Sequence, residues 1–234
     1  MAYLPFLDII KAYFRIEEGQ QGHLITKNIK KNLKALDSEL LLDSRPAFQD
    51  LLSLKIEEES WLTLEPKIKR GRTFETLRNL FIRLSEEKPL IIAVEDLHWM
   101  DKTSEEFINY FIDSMAHSPI LLILLYRPEY THQWGSKSYY NKIGLDQLNM
   151  ESSADLVSAI LEGGEVATEL RDLILNRSVG NPLFMEEFTH TLLENGSIEK
   201  KDNQFILKRK IGDIKVPDTI QGIIAARIDR LEEN

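Results

Sequence analysis

The chain has 234 residues, 43% of them hydrophobic and 29% charged, with a net charge of −9. This is the composition of a globular protein able to bury one large core or two smaller ones. The acidic balance argues against general affinity for nucleic-acid backbone, which needs clustered Lys and Arg. The lack of cysteine excludes disulfides, thiolate catalysis and cysteine-ligated zinc, and fits a reducing cytoplasm.

Met1 to Ile16 is unusually apolar. Phe6, Ile9, Ile10, Tyr13 and Phe14 fall on one face of a helix with Pro5 in its first turn. With no basic region and with Pro5, Asp8 and Lys11 early, this opening is not a signal peptide. Leu24 to Leu36 reads as a basic amphipathic helix whose Lys27, Lys30, Lys31 and Lys34 form a solvated face. Leu40 to Leu54 reads as short helix broken by Pro46. Thr73 to Lys88 carries Phe74, Leu77, Leu80, Phe81 and Leu84 at helical steps, with Thr73 as its expected cap.

Pro89 ends that helix, and Leu90 to Val94 is a continuous apolar run, which predicts a strand buried on both faces. Glu95 and Asp96 follow where the strand runs out. Thr103 and Glu106 make a capping box for a helix with Phe107, Tyr110, Phe111, Ser114 and Met115 on one side. Ser118-Pro119 stops it, and Ile120 to Tyr126 is a second apolar run, far short of the roughly 20 residues of a membrane span. Strand, helix and strand make a βαβ unit. Arg127 ends the second strand, so one sheet edge gathers two carboxylates and a guanidinium. Such a set suits a cation and a phosphate ester at the carboxyl ends of parallel strands, and a structural salt bridge would use the same residues.

Ile143 to Leu148 reads as a weak third strand. Helices then follow over 154–161, 166–177 and 183–193, a hairpin over 197–207 turning at Asp202-Asn203, and a helix over 217–231. None of the 11 glycines is followed by Lys, so Gly-x-x-x-x-Gly-Lys-Ser/Thr, the backbone cradle for nucleotide phosphates, is absent. The five histidines have no close ligand spacing, and no Gly-x-Ser-x-Gly elbow exists. His98 and Trp99 suit core packing beneath the strand end as well as a functional role.

Four segments come in order: Pro89-Leu-Ile-Ile-Ala-Val-Glu-Asp-Leu-His-Trp-Met-Asp101, Leu125-Tyr-Arg-Pro-Glu129, Ser178-Val-Gly-Asn-Pro-Leu-Phe-Met-Glu-Glu187, and Val216-Pro-Asp-Thr-Ile with Arg227-Ile-Asp-Arg-Leu231. Together they resemble the ATPase module of STAND-type signalling NTPases of the AAA+ superfamily, most of all the regulatory modules of bacterial multidomain proteins with adenylate/guanylate cyclase or kinase domains. Pro5-Phe-Leu-Asp-Ile-Ile and Arg70-Gly-Arg-Thr-Phe-Glu-Thr-Leu look like the region that precedes Walker B in that family. The resemblance implies an α/β fold: an incomplete P-loop-type parallel sheet with flanking helices over 1–149, a helical lid over 150–196, and the start of a winged-helix-like domain over 197–234.

It also implies roles. Glu95 and Asp96 match the Walker B acids that hold Mg²⁺ and polarise the attacking water, Arg127 matches a sensor arginine reading phosphate charge, and Gly180 and Pro182 match the lid motif whose Pro packs on adenine. The cofactors implied are ATP and Mg²⁺. The partners implied are effector domains of the same longer polypeptide or other signalling proteins, with neither nucleic acid nor membrane. Without a P-loop the chain is expected to be a fragment that does not hydrolyse ATP alone. The alternative is a degenerate ATPase fold kept as an interaction module. DNA binding through the C-terminal part is disfavoured by the acidic charge.

Overall fold

A computed structural model describes residues 2–36, 39–210, 219–222, 224, 225 and 228. The contacts divide the chain into two units, residues 1–142 and 143–234. Both combine helices with a small sheet, so the fold is mixed α/β with helix predominating.

In the first unit the order is α1 (Leu4–Phe14), α2 (Gly22–Ala35), α3 (Glu39–Asp43), α4 (Arg45–Leu51), α5 (Glu59–Leu62), α6 (Pro66–Glu87), β1 (Leu90–Val94), α7 (Lys102–Ser114) and β2 (Ile120–Leu124). Pro5 lies in the first turn of α1, where its missing N–H costs nothing. Phe6, Leu7, Ile10 and Phe14 are its buried face. On α2 the buried stripe is Ile25, Ile29 and Leu33, and the four lysines are exposed as expected. The helical stretch over 40–54 divides at Ser44 into α3 and α4, with Pro46 in the first turn of α4, where proline is tolerated.

α6 starts at Pro66, two turns earlier than the apolar pattern indicated, and Thr73 is not its cap. The Thr73 hydroxyl donates to the Lys69 carbonyl at 2.9 Å, which satisfies it inside the helix. The expected Thr103–Glu106 box at α7 is also replaced. Asp101 is the cap, its carboxylate accepting from the Ser104 N–H at 2.9 Å and the Ser104 hydroxyl at 2.6 Å. A carboxylate at a helix N-terminus has the stronger claim, since it takes the free N–H and meets the positive end of the dipole.

β1 and β2 pair in parallel, from Leu90 opposite Ile120 to Val94 opposite Leu124, with α7 as the crossover. Ile92 and Val94 point into a core built with Phe6, Phe81, Phe107 and Phe111. The Phe6 and Phe107 rings meet edge to face at 4.6 Å, the favoured aromatic geometry. The strands are not buried on both faces. Ile91 is 65% exposed, Leu121 56% and Ile123 41%. Helices cover one side only among the described residues, so the continuous apolar run did not carry its usual meaning.

The second unit runs α8 (Met150–Ile160), β3 (Glu165–Val166), α9 (Thr168–Ser178), α10 (Pro182–Glu194), β4 (Ile198–Lys201) and β5 (Gln204–Leu207). The three helices match the expected ones, with ends shifted by a few residues. Val157, Leu170, Ile174, Phe184, Phe188 and Leu192 share one core with Ile198 and Phe205 of the hairpin. That hairpin turns where predicted. Asp202 and Asn203 have φ of 48° and 69°, the left-handed pair a two-residue turn requires. β3 adds to β5 in parallel, giving the order β3-β5-β4. The third strand expected at Ile143 to Leu148 does not form. Ile143 and Leu145 are 82% and 89% exposed, and no ladder holds them. The helix expected over 217–231 falls largely outside the described residues.

Candidate functional site

The carboxyl edge of β1 and β2 carries the candidate residues. The ladder continues past both strands, with Leu125 N–H donating to Val94 O at 2.9 Å and Leu97 N–H donating to Leu125 O at 3.1 Å. This sets Glu95-Asp96 and Arg127 on adjoining strand ends. Asp96 is left-handed, φ 52°, ψ 44°, and starts a 3-10 turn over Leu97–Trp99. Asp tolerates that conformation better than most residues. The turn drives Leu97 into the core at 1% exposure and leaves Glu95, Asp96 and Arg127 at the surface.

Beside them is a cleft of about 510 Å³ lined by His98, Trp99, Glu105, Arg127, Glu129 and Tyr130. His98 Nε2 is 3.7 Å from Asp96 Oδ1, and both His98 ring nitrogens are buried without a hydrogen-bond partner. Trp99 is not core packing: it is 77% exposed, its ring 5.4 Å from that of His98. Tyr130 donates its hydroxyl to Glu105 of α7 at 3.0 Å. Burial and then that bond push its pKa up, so it stays a neutral donor.

Glu95 and Asp96 are a hard-oxygen pair of the kind Mg²⁺ uses when waters and phosphate oxygens fill its remaining positions. Among the described residues no group of three or more His, Asp or Glu could hold an ion alone. Two adjacent carboxylates do not make a dedicated protein cage, and an ion there would need further oxygens from a ligand or water. No Gly-rich cradle is present for the phosphates.

Gly180 and Pro182 belong to the second unit. Val179 closes α9 in the left-handed region, φ 49°, and Gly180 follows at φ 77°. A Cβ on Gly180 would lie 2.6 Å from Leu148 O, so only glycine fits where Leu148 N–H donates to Gly180 O at 2.9 Å. Asn181 caps α10 by accepting from Phe184 N–H at 3.0 Å, and Pro182 opens the helix. This corner has a complete structural explanation. Pro182 is exposed beside it.

One cluster was not foreseen. After β2 the chain runs as a strap along α7, with a 3-10 turn at Trp134–Ser136. Trp134 is 4% exposed and donates Nε1–H to Asn109 Oδ1 at 2.6 Å. Tyr139 donates its hydroxyl to Ile112 O at 2.9 Å, and Lys137 pairs with Asp113. His132 stacks on Trp134 at 4.7 Å and meets the hydroxyls of Tyr126 and Tyr140. The signal available was compositional: four tyrosines, a histidine and a tryptophan between 126 and 140, without helical or strand period.

No family model matches the chain, and no solved structure matches it. It is similar to an uncharacterized protein of Rhizobium meliloti (strain 1021), 27% identical over 133 residues. The match covers 56% of this chain, and the chain spans only 13% of that protein's length.

Proposed function

We propose that the chain is part of a regulatory signalling ATPase whose ATP or ADP state switches an effector domain of the same longer polypeptide or of another signalling protein. The observation that carries this reading is the β1-α7-β2 unit, whose adjoining carboxyl ends bear Glu95-Asp96 and Arg127. In this reading unit one is an incomplete P-loop-type sheet, helices α8 to α10 are the lid, and the β4–β5 hairpin opens a winged-helix-like domain.

When bound, Mg²⁺ would neutralise charge on the nucleotide phosphates. The chain's own part is to present the Glu95 and Asp96 carboxylates to the ion's waters and to hold the Arg127 guanidinium where it can donate to a phosphate oxygen. The phosphate cradle would come from residues outside this chain, so the 234-residue chain alone does not turn over ATP.

The test is calorimetry with ATP and Mg²⁺ on a polypeptide that joins this chain to its natural upstream coding region. Micromolar binding weakened about tenfold or more in the Glu95→Gln, Asp96→Asn double variant is the expected result, a loss of about 1.4 kcal/mol or more. An upstream region without a phosphate-binding loop, or binding indifferent to the double variant, would sink the reading. A second reading, an interaction module on the same fold, is favoured by one observation: the open apolar face of Ile91, Leu121 and Ile123.

A further inference from the structure

We infer that His132 is a pH-sensitive pin that holds the strap from Tyr126 to Tyr140 in its folded conformation when neutral and loosens it when protonated. The inference concerns the strap alone and stands whether or not the chain serves a nucleotide site. Its basis is the hydrogen-bond pattern at the two ring nitrogens. Trp134 N–H donates to His132 Nδ1 at 3.3 Å, so Nδ1 keeps its lone pair and the proton sits on Nε2. Nε2–H faces two phenolic oxygens, Tyr126 Oη at 2.8 Å and Tyr140 Oη at 3.1 Å, which themselves bond at 2.8 Å. Of the two neutral tautomers, only Nε2–H leaves Nδ1 free to accept from Trp134 N–H.

A second proton on Nδ1 would point an N–H at the Trp134 N–H, donor against donor. It would also place a positive charge among groups that do not compensate it. Around the ring stand Tyr126 just beyond β2, Tyr130, Trp134 and Tyr140 of the strap, and Lys142. α7 faces the cluster with neutral Asn109 on Trp134, with Glu105 held on the far side of the Tyr130 hydroxyl, and with Asp113 paired to Lys137. Burial first, and Lys142 second, push the His132 pKa below its ordinary value of 6.5. A depressed histidine stabilises the fold fully above the unfolded value and loses that contribution as pH falls below it. The strap is therefore locked at neutral pH and loosens below about 6.5. It matters to the candidate site because the strap begins at the strand end bearing Arg127 and supplies Glu129 and Tyr130 to the cleft.

The experiment is ¹⁵N NMR of the full chain from pH 8 to pH 5, following the His132 ring nitrogens, the Trp134 backbone amide and the Trp134 indole N–H. The expected result is an Nε2–H tautomer at pH 8 and a ring titration below 6.5. Both Trp134 peaks then shift or broaden with the same midpoint. In His132→Asn the amide oxygen takes the place of Nδ1 as acceptor but does not titrate, and both Trp134 peaks stay flat. Wild-type Trp134 peaks that do not move to pH 5, or an identical transition in His132→Asn, would overturn the inference. So would an Nδ1–H tautomer at pH 8, a reading that needs only the wild-type chain if the variant fails to fold.

Discussion

Replacing Gly180 with alanine tests the corner between α9 and α10 directly. Gly180 sits at φ 77°, where an L-residue pays about 1 kcal/mol or more. The added Cβ would stand 2.6 Å from Leu148 O, 3.0 Å from Gln147 Cβ and 3.2 Å from Leu148 N. Two of these are backbone atoms that no rotamer change can move aside. Relief requires residues 147 and 148 to withdraw, which breaks the Leu148 N–H to Gly180 O bond and costs a further 0.5–1.5 kcal/mol, roughly. The sum is at least about 1.5–2.5 kcal/mol, or roughly 6–20 °C in Tm for a unit of this size. Urea unfolding followed by far-UV circular dichroism should read it. Val179 next door is the internal control. It is β-branched, left-handed at φ 49° and 63% exposed, so Val179→Gly relieves strain while losing little packing. That variant should gain about 0.5–1 kcal/mol. A Gly180→Ala protein within about 0.5 kcal/mol of wild type, or a Val179→Gly protein less stable than wild type, would refute the strain argument.

Three further outcomes follow from other sites. Asp101→Ala should cost about 0.5–2 kcal/mol by removing the α7 cap, whereas Thr103→Ala should stay within about 0.5 kcal/mol; thermal melts of the pair separate the two capping assignments. Phe107→Ala removes a fully buried ring that touches Phe6, Phe74, Phe81 and Phe111, and chemical denaturation should show a loss of about 3–5 kcal/mol. Steady-state phosphate release from the chain with ATP and Mg²⁺ should equal the no-protein rate; turnover that vanishes in Glu95→Ala plus Asp96→Ala would contradict the need for an outside phosphate cradle.

Where local chemistry alone sets the geometry, the residues could be read directly. Pro5, Pro89 and Pro119 bound their elements, and Asp202-Asn203 makes its turn, because each conformation follows from covalent restraint or a side chain's own backbone bonding. The adjacency of Glu95-Asp96 and Arg127 was legible too, since parallel strands joined by a helix bring like ends together. Competition between local options was less readable. Asp101 and Thr103 both offer oxygens to one helix start, and Thr73 has a cap's composition but finds its bond inside α6. Burial of β1 on one face only depends on which helices arrive, which no strand pattern encodes. The strap was invisible because irregular chain anchored by aromatic hydroxyls has no period.

The open face of the parallel pair has a consequence for how the chain behaves in concentrated solution. Ile120-Leu-Leu-Ile-Leu-Leu125 is six apolar residues without a charge or proline, the kind of segment that stacks into cross-β fibrils once its edges are free. β2 pairs with β1 on one side, and among the described residues no strand pairs with its other edge. Pro119 stands immediately before the run, with Arg127-Pro128 shortly after it. These flanking residues act as gatekeepers against edge-to-edge growth, so a Pro128→Val change should shorten the lag before thioflavin-positive aggregation.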